Sequence, residues 1–132
     1  MTDTSGAAHE PRPLLIVDGA NVVGSVPDGW WRDRRGAAER LRDRLVPFAR
    51  SGVAGLPGPL ELVLVVEGAA RGVAPVPGVR VEEAAGSGDD HIVALAAMAG
   101  DRPCLVVTAD RDLRRRVQEH GARVTGPRTV LS

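Results

Sequence analysis

Residues 14–25 read LLIVDGANVVGS. Four apolar residues, Leu14 to Val17, run into Asp18, and the small residues Gly19 and Ala20 follow before Asn21. An unbroken apolar run of this kind reads as a strand covered on both faces, because a half-exposed strand would alternate. Asp18 therefore ends a buried strand, where a carboxylate needs a partner.

The rest of the chain repeats that grammar. Glu61 to Val66, within ELVLVVE, and CLVVT from Cys104 are further continuous apolar strands. Val79 to Val81 and Ala122 to Thr125 are shorter ones. Helices are expected between them. One spans about Asp33 to Arg50 with an apolar stripe of Ala38, Leu41, Leu45, Phe48 and Ala49, and Pro47 should kink its last turn or end it early. A second begins at Ser87-Gly88-Asp89 and stops at Gly100, and a third runs from Asp110 to His120 before Gly121. Gly19 to Trp31 and GAARGVAPVPG read as loops. Strands alternating with helices predict right-handed βαβ units, hence a three-layer α/β/α, Rossmann-like domain around a central, mostly parallel sheet. In such sheets ligands bind beyond the carboxyl ends of the strands.

Composition limits the alternatives. The chain has 132 residues, 43% of them apolar, enough for one core and one domain over residues 14–132. Residues 1–13 are polar and proline-bearing and read as a flexible tail with no apolar signal segment. Its 17 basic residues, all arginine, balance 17 acids, so any affinity for nucleic acid must be local. A single cysteine excludes a disulfide framework and a cysteine-based zinc site. No apolar run approaches the ~20 residues that span a bilayer, so a cytoplasmic location without membrane association is the default.

Three acids leave the sheet at the same edge. Asp18 ends the first strand, Asp110 lies just past the fourth, and Asp89 opens the middle helix on the face shared with Ile92, Leu95, Ala96 and Ala99. Asp90 is turned about 100° aside. Converging carboxylates raise each other's pKa, and a divalent cation relieves that repulsion; oxygen ligands without cysteine or clustered histidine suit Mg²⁺ or Mn²⁺. Taken singly, Asp89 and Asp110 are equally readable as helix caps, and Asn21 as an Asx turn or a group that orients Asp18.

LLIVDGANVVG, AGSGDDHIVALA and VVTADRDLRRRVQEHGA, in that order and spacing, resemble the NYN branch of the PIN-like nuclease superfamily over about residues 14–125. The resemblance implies a Mg²⁺- or Mn²⁺-dependent ribonuclease in which Asp18, Asp89 and Asp110 bind metal and activate water, leaving a 5′-phosphate and a 3′-hydroxyl. It further implies that Asp112 supports the metal site and that Asn21 helps define the first motif, with Asp90 as a substitute or outer group. Where relatives often carry an aspartate after the second strand, this chain has Glu67. The partner implied is RNA, single-stranded or structured.

Arg34, Arg35 and Arg71 fall on the same edge and suit phosphates. Trp30 and Trp31 suit base stacking, or one of them plugs the top of the core. His91 reads as a solvent-facing helix residue and His120 as a helix end. A domain this small is expected to use a homodimer or a protein partner to select its target. The competing readings are an RNA- or protein-binding module with a vestigial metal site, a metal-dependent nucleotide pyrophosphohydrolase, and a Toprim-like domain built on Glu67-Gly68 and Asp110-Arg111-Asp112, which would leave Asp18 and Asp89 unused.

Overall fold

The computed structural model describes residues 12–131. Most of the segment expected to be a flexible tail therefore lies outside the described residues. Five parallel strands form the main sheet: β1 (Leu14–Asp18), β4 (Glu61–Val66), β5 (Arg80–Glu83), β6 (Cys104–Val107) and β7 (Arg123–Thr125). Their spatial order is β5-β4-β1-β6-β7, so β1 is central. The doubly covered α/β architecture expected from the apolar runs is borne out.

Alternation along β1 builds two cores. Leu15 and Val17 enter one, with Leu62, Leu64 and Val66 of β4 and with Leu41 and Leu45 of the long helix α2 (Arg34–Ser51). Leu14 and Ile16 enter the other, with Ile92 and Ala96 of α3 (Gly88–Met98) and Leu113 and Val117 of α4 (Arg111–Gln118). Every residue of β1 is buried, which is why the strand has no polar face. A short helix α5 (Arg128–Leu131) closes the first core through Val130. Among the described residues no helix is long and apolar enough to cross a membrane.

Several local expectations needed correction. Residues 19–24, read as loop, form a helical turn, α1 (Gly19–Gly24), because the Asp18 side chain accepts the Asn21 amide and starts it. Gly19 has no substitute there, since a Cβ would stand 2.6 Å from the Val65 carbonyl oxygen. Pro47 does not end α2. The helix continues to Ser51, because Phe48 and Ala49 still have core to pack against, and it stops at Gly52 with φ 84°. A two-residue hairpin, β2 (Gly52–Val53) with β3 (Leu56–Pro57), follows unforeseen.

Strand β5 starts one residue and ends two residues later than its apolar pattern suggested. As an edge strand it tolerates polar side chains while its backbone pairs Arg80 to Glu83 with Val63 to Val66. His91 is half-buried rather than solvent-facing, because Glu82 of that edge accepts its Nε2 at 2.5 Å.

Candidate active site at the carboxyl edge of β1 and β6

The chain leaves β1 towards β4 on one side and returns from β5 to β6 on the other. The strand order reverses at the β1/β6 boundary, and the connections diverge there to leave a crevice. Asp18 and Thr108 stand on its floor. They are the only buried polar residues among those described, 5% and 0% exposed, and they are bonded to each other. Thr108 Oγ1 donates to Asp18 Oδ2 at 2.9 Å, and the Asn21 amide donates to Asp18 Oδ1 at 3.3 Å.

The same threonine oxygen accepts the Asp110 amide at 3.1 Å, so one hydroxyl ties the end of β1 to the start of α4. Asn21 adds a second tie, its Oδ1 accepting the Ala109 amide at 2.8 Å. Asn21 is therefore a cross-brace between two βα connections rather than a local turn residue. Thr108 was not among the expected site residues. Its signal was a polar residue closing an otherwise apolar strand two positions before an aspartate.

Asp110 caps α4, with Oδ1 accepting the Leu113 amide at 2.9 Å. Capping and site membership coexist, because a carboxylate has lone pairs to spare beyond one bond. Asp89 does not cap α3. Ser87 does, through a 3.1 Å bond from the Asp89 amide, and the half-buried Asp89 carboxylate lies within reach of the charges of Asp110 and Glu67. Glu67, at the end of β4, accepts the Gly88 amide at 2.7 Å and so fixes the turn that carries Asp89.

Electrostatics join these groups. Burial is the largest cause that lifts the Asp18 carboxyl from 3.8 to about 6; the bonds from Thr108 and Asn21 oppose it, and the charges of Asp89 and Glu67 add to it. Asp89 is also raised, first by burial and then by Asp110 and Glu67. The charges of Glu67 and Asp89 thus act on Asp18, and those of Asp110 and Glu67 on Asp89, at the carboxyl edge of the sheet.

Not every expected residue joins them. Asp90 is exposed and bound to Arg116 at 2.8 Å, and Asp112 is exposed and bound to Arg115 at 2.6 Å. Two residues past its cap, Asp112 has rotated about 200° around α4 and points to solvent. Arg71 serves the scaffold instead, since its Nη2 donates to the carbonyls of Ala84 and Ala85 at 2.7 and 2.9 Å and pins the turn after β4 to the segment after β5. Arg34 stacks over Trp30, 5.2 Å from the ring centre, and Arg35 lies against Gly72. Neither tryptophan is buried. Trp30 is half-exposed and meets Trp31 edge-on at 6.2 Å.

The donor chemistry suits a hard divalent cation, because it consists of carboxylate, amide and hydroxyl oxygens carrying uncompensated negative charge. Among the described residues, however, no three His, Cys, Asp or Glu side chains are arranged as a ready-made metal cage. Side chains at the crevice rim would have to turn inwards to complete one.

No family model matches the chain, and no curated protein sequence matches it. Among solved structures, Rae1 (YacP) from Bacillus subtilis, a W164L mutant, aligns with a TM-score of 0.70 over 90% of this chain and 72% of that one. The chain shares its fold with Rae1. At 20% identity the likeness to Rae1 is one of architecture: the parallel sheet and its flanking helices.

Proposed function

We propose that the chain is a metal-dependent endoribonuclease of the NYN branch of the PIN-like superfamily, hydrolysing RNA phosphodiesters at the crevice above β1 and β6. The observation that carries the reading is the buried Asp18–Thr108 pair at the sheet's switch point, surrounded by Asp89, Asp110 and Glu67. A carboxylate sunk in the core and raised to about 6 costs the fold stability, and ordinary packing offers no return for it. The motif resemblance and the fold shared with Rae1 support the same assignment.

In this reading Asp18, Asp89 and Asp110 hold Mg²⁺ or Mn²⁺, and Asp112, paired with Arg115 on the solvent side of α4, stays outside the site. The cation, when bound, would neutralise phosphate charge and acidify the attacking water. The protein's own part is orientation. Thr108 and Asn21 lock the Asp18 carboxylate, Glu67 sets the turn that carries Asp89, and Asp90 is held aside by Arg116. Arg34 and Arg35 would bind phosphates flanking the scissile one, and Trp30 a base; Arg71 would contribute through the loop it holds.

The test is cleavage of end-labelled single-stranded and structured RNA with Mn²⁺, comparing the wild type with Asp18→Asn and Asp110→Asn. Metal-dependent cleavage lost in both variants is expected; equal activity in all three would refute the assignment. The missing three-ligand cage favours a second reading, an RNA-binding module with a vestigial metal site. Millimolar Mn²⁺ separates the two. It raises the melting temperature of the wild type and not of Asp18→Asn if a cation binds the folded cluster, and leaves both unchanged if the site is vestigial.

A further inference from the structure

The arginines of α4 fall into two kinds. Arg115 is bonded to Asp112 and Glu119 at 2.6 and 3.2 Å, and Arg116 to Asp90 of α3 at 2.8 Å. Arg111 and Arg114 have no such partners: among the described residues no oxygen accepts from either side chain. Arg114 Nε is also the one buried side-chain polar atom among those residues left without a hydrogen bond, while its two Nη groups stay open to solvent. A packed stem with an exposed donor end spares a ligand the entropy of ordering a long side chain. The fold itself gains nothing from these charges. Arg111 is the first residue of α4, where the helix dipole disfavours a cation, and two like charges three residues apart repel.

Helix geometry sets where they stand. Arg116 faces α3, and Arg114, two residues earlier, is turned about 200° to the flank away from α3, on the side of edge strand β7. Arg111 and Arg114 share a face, and Arg114 lies one turn past Asp110, whose carbonyl accepts its amide at 3.0 Å. Side chains on a helix lean towards its N-terminus, so Arg114 runs back towards the turn that carries Asp110. Thr108 ties that turn to Asp18. The two unpartnered guanidiniums therefore stand beyond Asp110 as seen from Asp18. On the other side of Asp18 is the Trp30–Arg34 stack, beside the ends of β1 and β4. With β4, β1, β6 and β7 side by side in that order, cations, acids and cations follow one another along a single edge.

We infer that Arg111 and Arg114 bind the phosphodiester backbone of RNA on the far side of the cut, so that the strand crosses the sheet edge from the Trp30–Arg34 stack to the start of α4. Guanidiniums without acid partners suit phosphate oxygens, and contacts of this kind position a strand without reading its sequence. The inference rests on the proposed ribonuclease reading for its role, namely holding the strand on both sides of the acids. Backbone binding itself requires neither metal nor cleavage.

The test is the salt dependence of binding, read by fluorescence anisotropy of a labelled single-stranded RNA with a chelator present. Each phosphate contact to a single strand contributes about 0.7 to the slope of log affinity against log salt. Arg111→Ala/Arg114→Ala should therefore lower the slope by about 1.4. Arg50→Ala/Arg115→Ala removes the same charge from the far end of α2 and from a paired position of α4, and should leave the slope unchanged. Arg111→Lys/Arg114→Lys keeps both charges and should retain the wild-type slope. No salt-dependent binding by the wild type, a slope unchanged in the first variant, or an equal fall in the second or third would each overturn the inference. Its failure is separable from that of the ribonuclease reading. The expected slopes without Asp18-dependent cleavage in Mn²⁺ keep the backbone site and remove the ribonuclease reading, whereas Asp18-dependent cleavage with slopes indifferent to Arg111 and Arg114 does the reverse.

Discussion

Asp18→Asn should stabilise the fold near neutral pH. The carboxyl ionises at 3.8 in its ordinary state and at about 6 in the folded chain. A folded-state value above the unfolded one means that the native state holds its proton more tightly. The corresponding stabilisation is complete below 3.8 and is lost as pH rises through about 6. At about 1.4 kcal/mol per pKa unit, ionised Asp18 costs the native state about 3 kcal/mol at neutral pH. Asparagine removes that cost but brings its own. Asp18 accepts from two donors, Thr108 Oγ1 and the Asn21 amide, and an amide side chain presents one acceptor and one donor to them. One polar group is then left unpaired, at about 1–2 kcal/mol. A net gain of about 1–2 kcal/mol remains, or about 4–8 °C in melting temperature. Urea denaturation of both proteins across a pH series, followed by far-ultraviolet circular dichroism, reads the difference directly. It should favour Asp18→Asn at neutral pH and reverse well below 3.8, where Asp18 is neutral in both states and only the unpaired polar group of the variant remains. A variant less stable than the wild type at neutral pH, or a difference independent of pH, would refute the account of Asp18 as a desolvated charge.

Other perturbations probe the same scaffold. Thr108→Val removes the donor to Asp18 and the acceptor of the Asp110 amide. It should cost about 2 kcal/mol in urea denaturation, push the Asp18 carboxyl still higher, and lower any RNA cleavage. Gly19→Ala drives a Cβ to 2.6 Å from the Val65 carbonyl, a backbone atom that cannot step aside, and should cost about 1–3 kcal/mol with a matching fall in melting temperature. Leu113→Ala empties the core beneath α4, where Leu113 is fully buried. A loss of about 2–5 kcal/mol is expected by chemical denaturation.

Patterning along the chain was sufficient for the architecture but not for the pairings inside the site. The runs at Leu14, Glu61 and Cys104 announced strands covered on both faces, and helical periodicity located α2, α3 and α4 to within a residue or two. Where the periodic signal weakened, the reading slipped. Edge strand β5 is polar because only its backbone is needed, α1 is nucleated by one side-chain bond, and Pro47 is outvoted by the core beyond it. Asp89 and Asp110 both looked like caps. Only the fold separated them, giving the α3 cap to Ser87 and leaving Asp89 beside Glu67 and Asp110.

By itself, then, LLIVDGANVVGS determined a central buried strand ending in an acid at the edge where such sheets bind ligands. The reason is that hydrophobic periodicity acts locally and survives in one dimension. Tertiary structure decided what surrounds that acid: a threonine 90 residues away as its hydrogen-bond donor, an asparagine bracing the next connection, and a glutamate reaching back from β4. Those partners depend on the order in which strands lie side by side. Only that arrangement brings four scattered carboxylates and a threonine to one edge of the sheet.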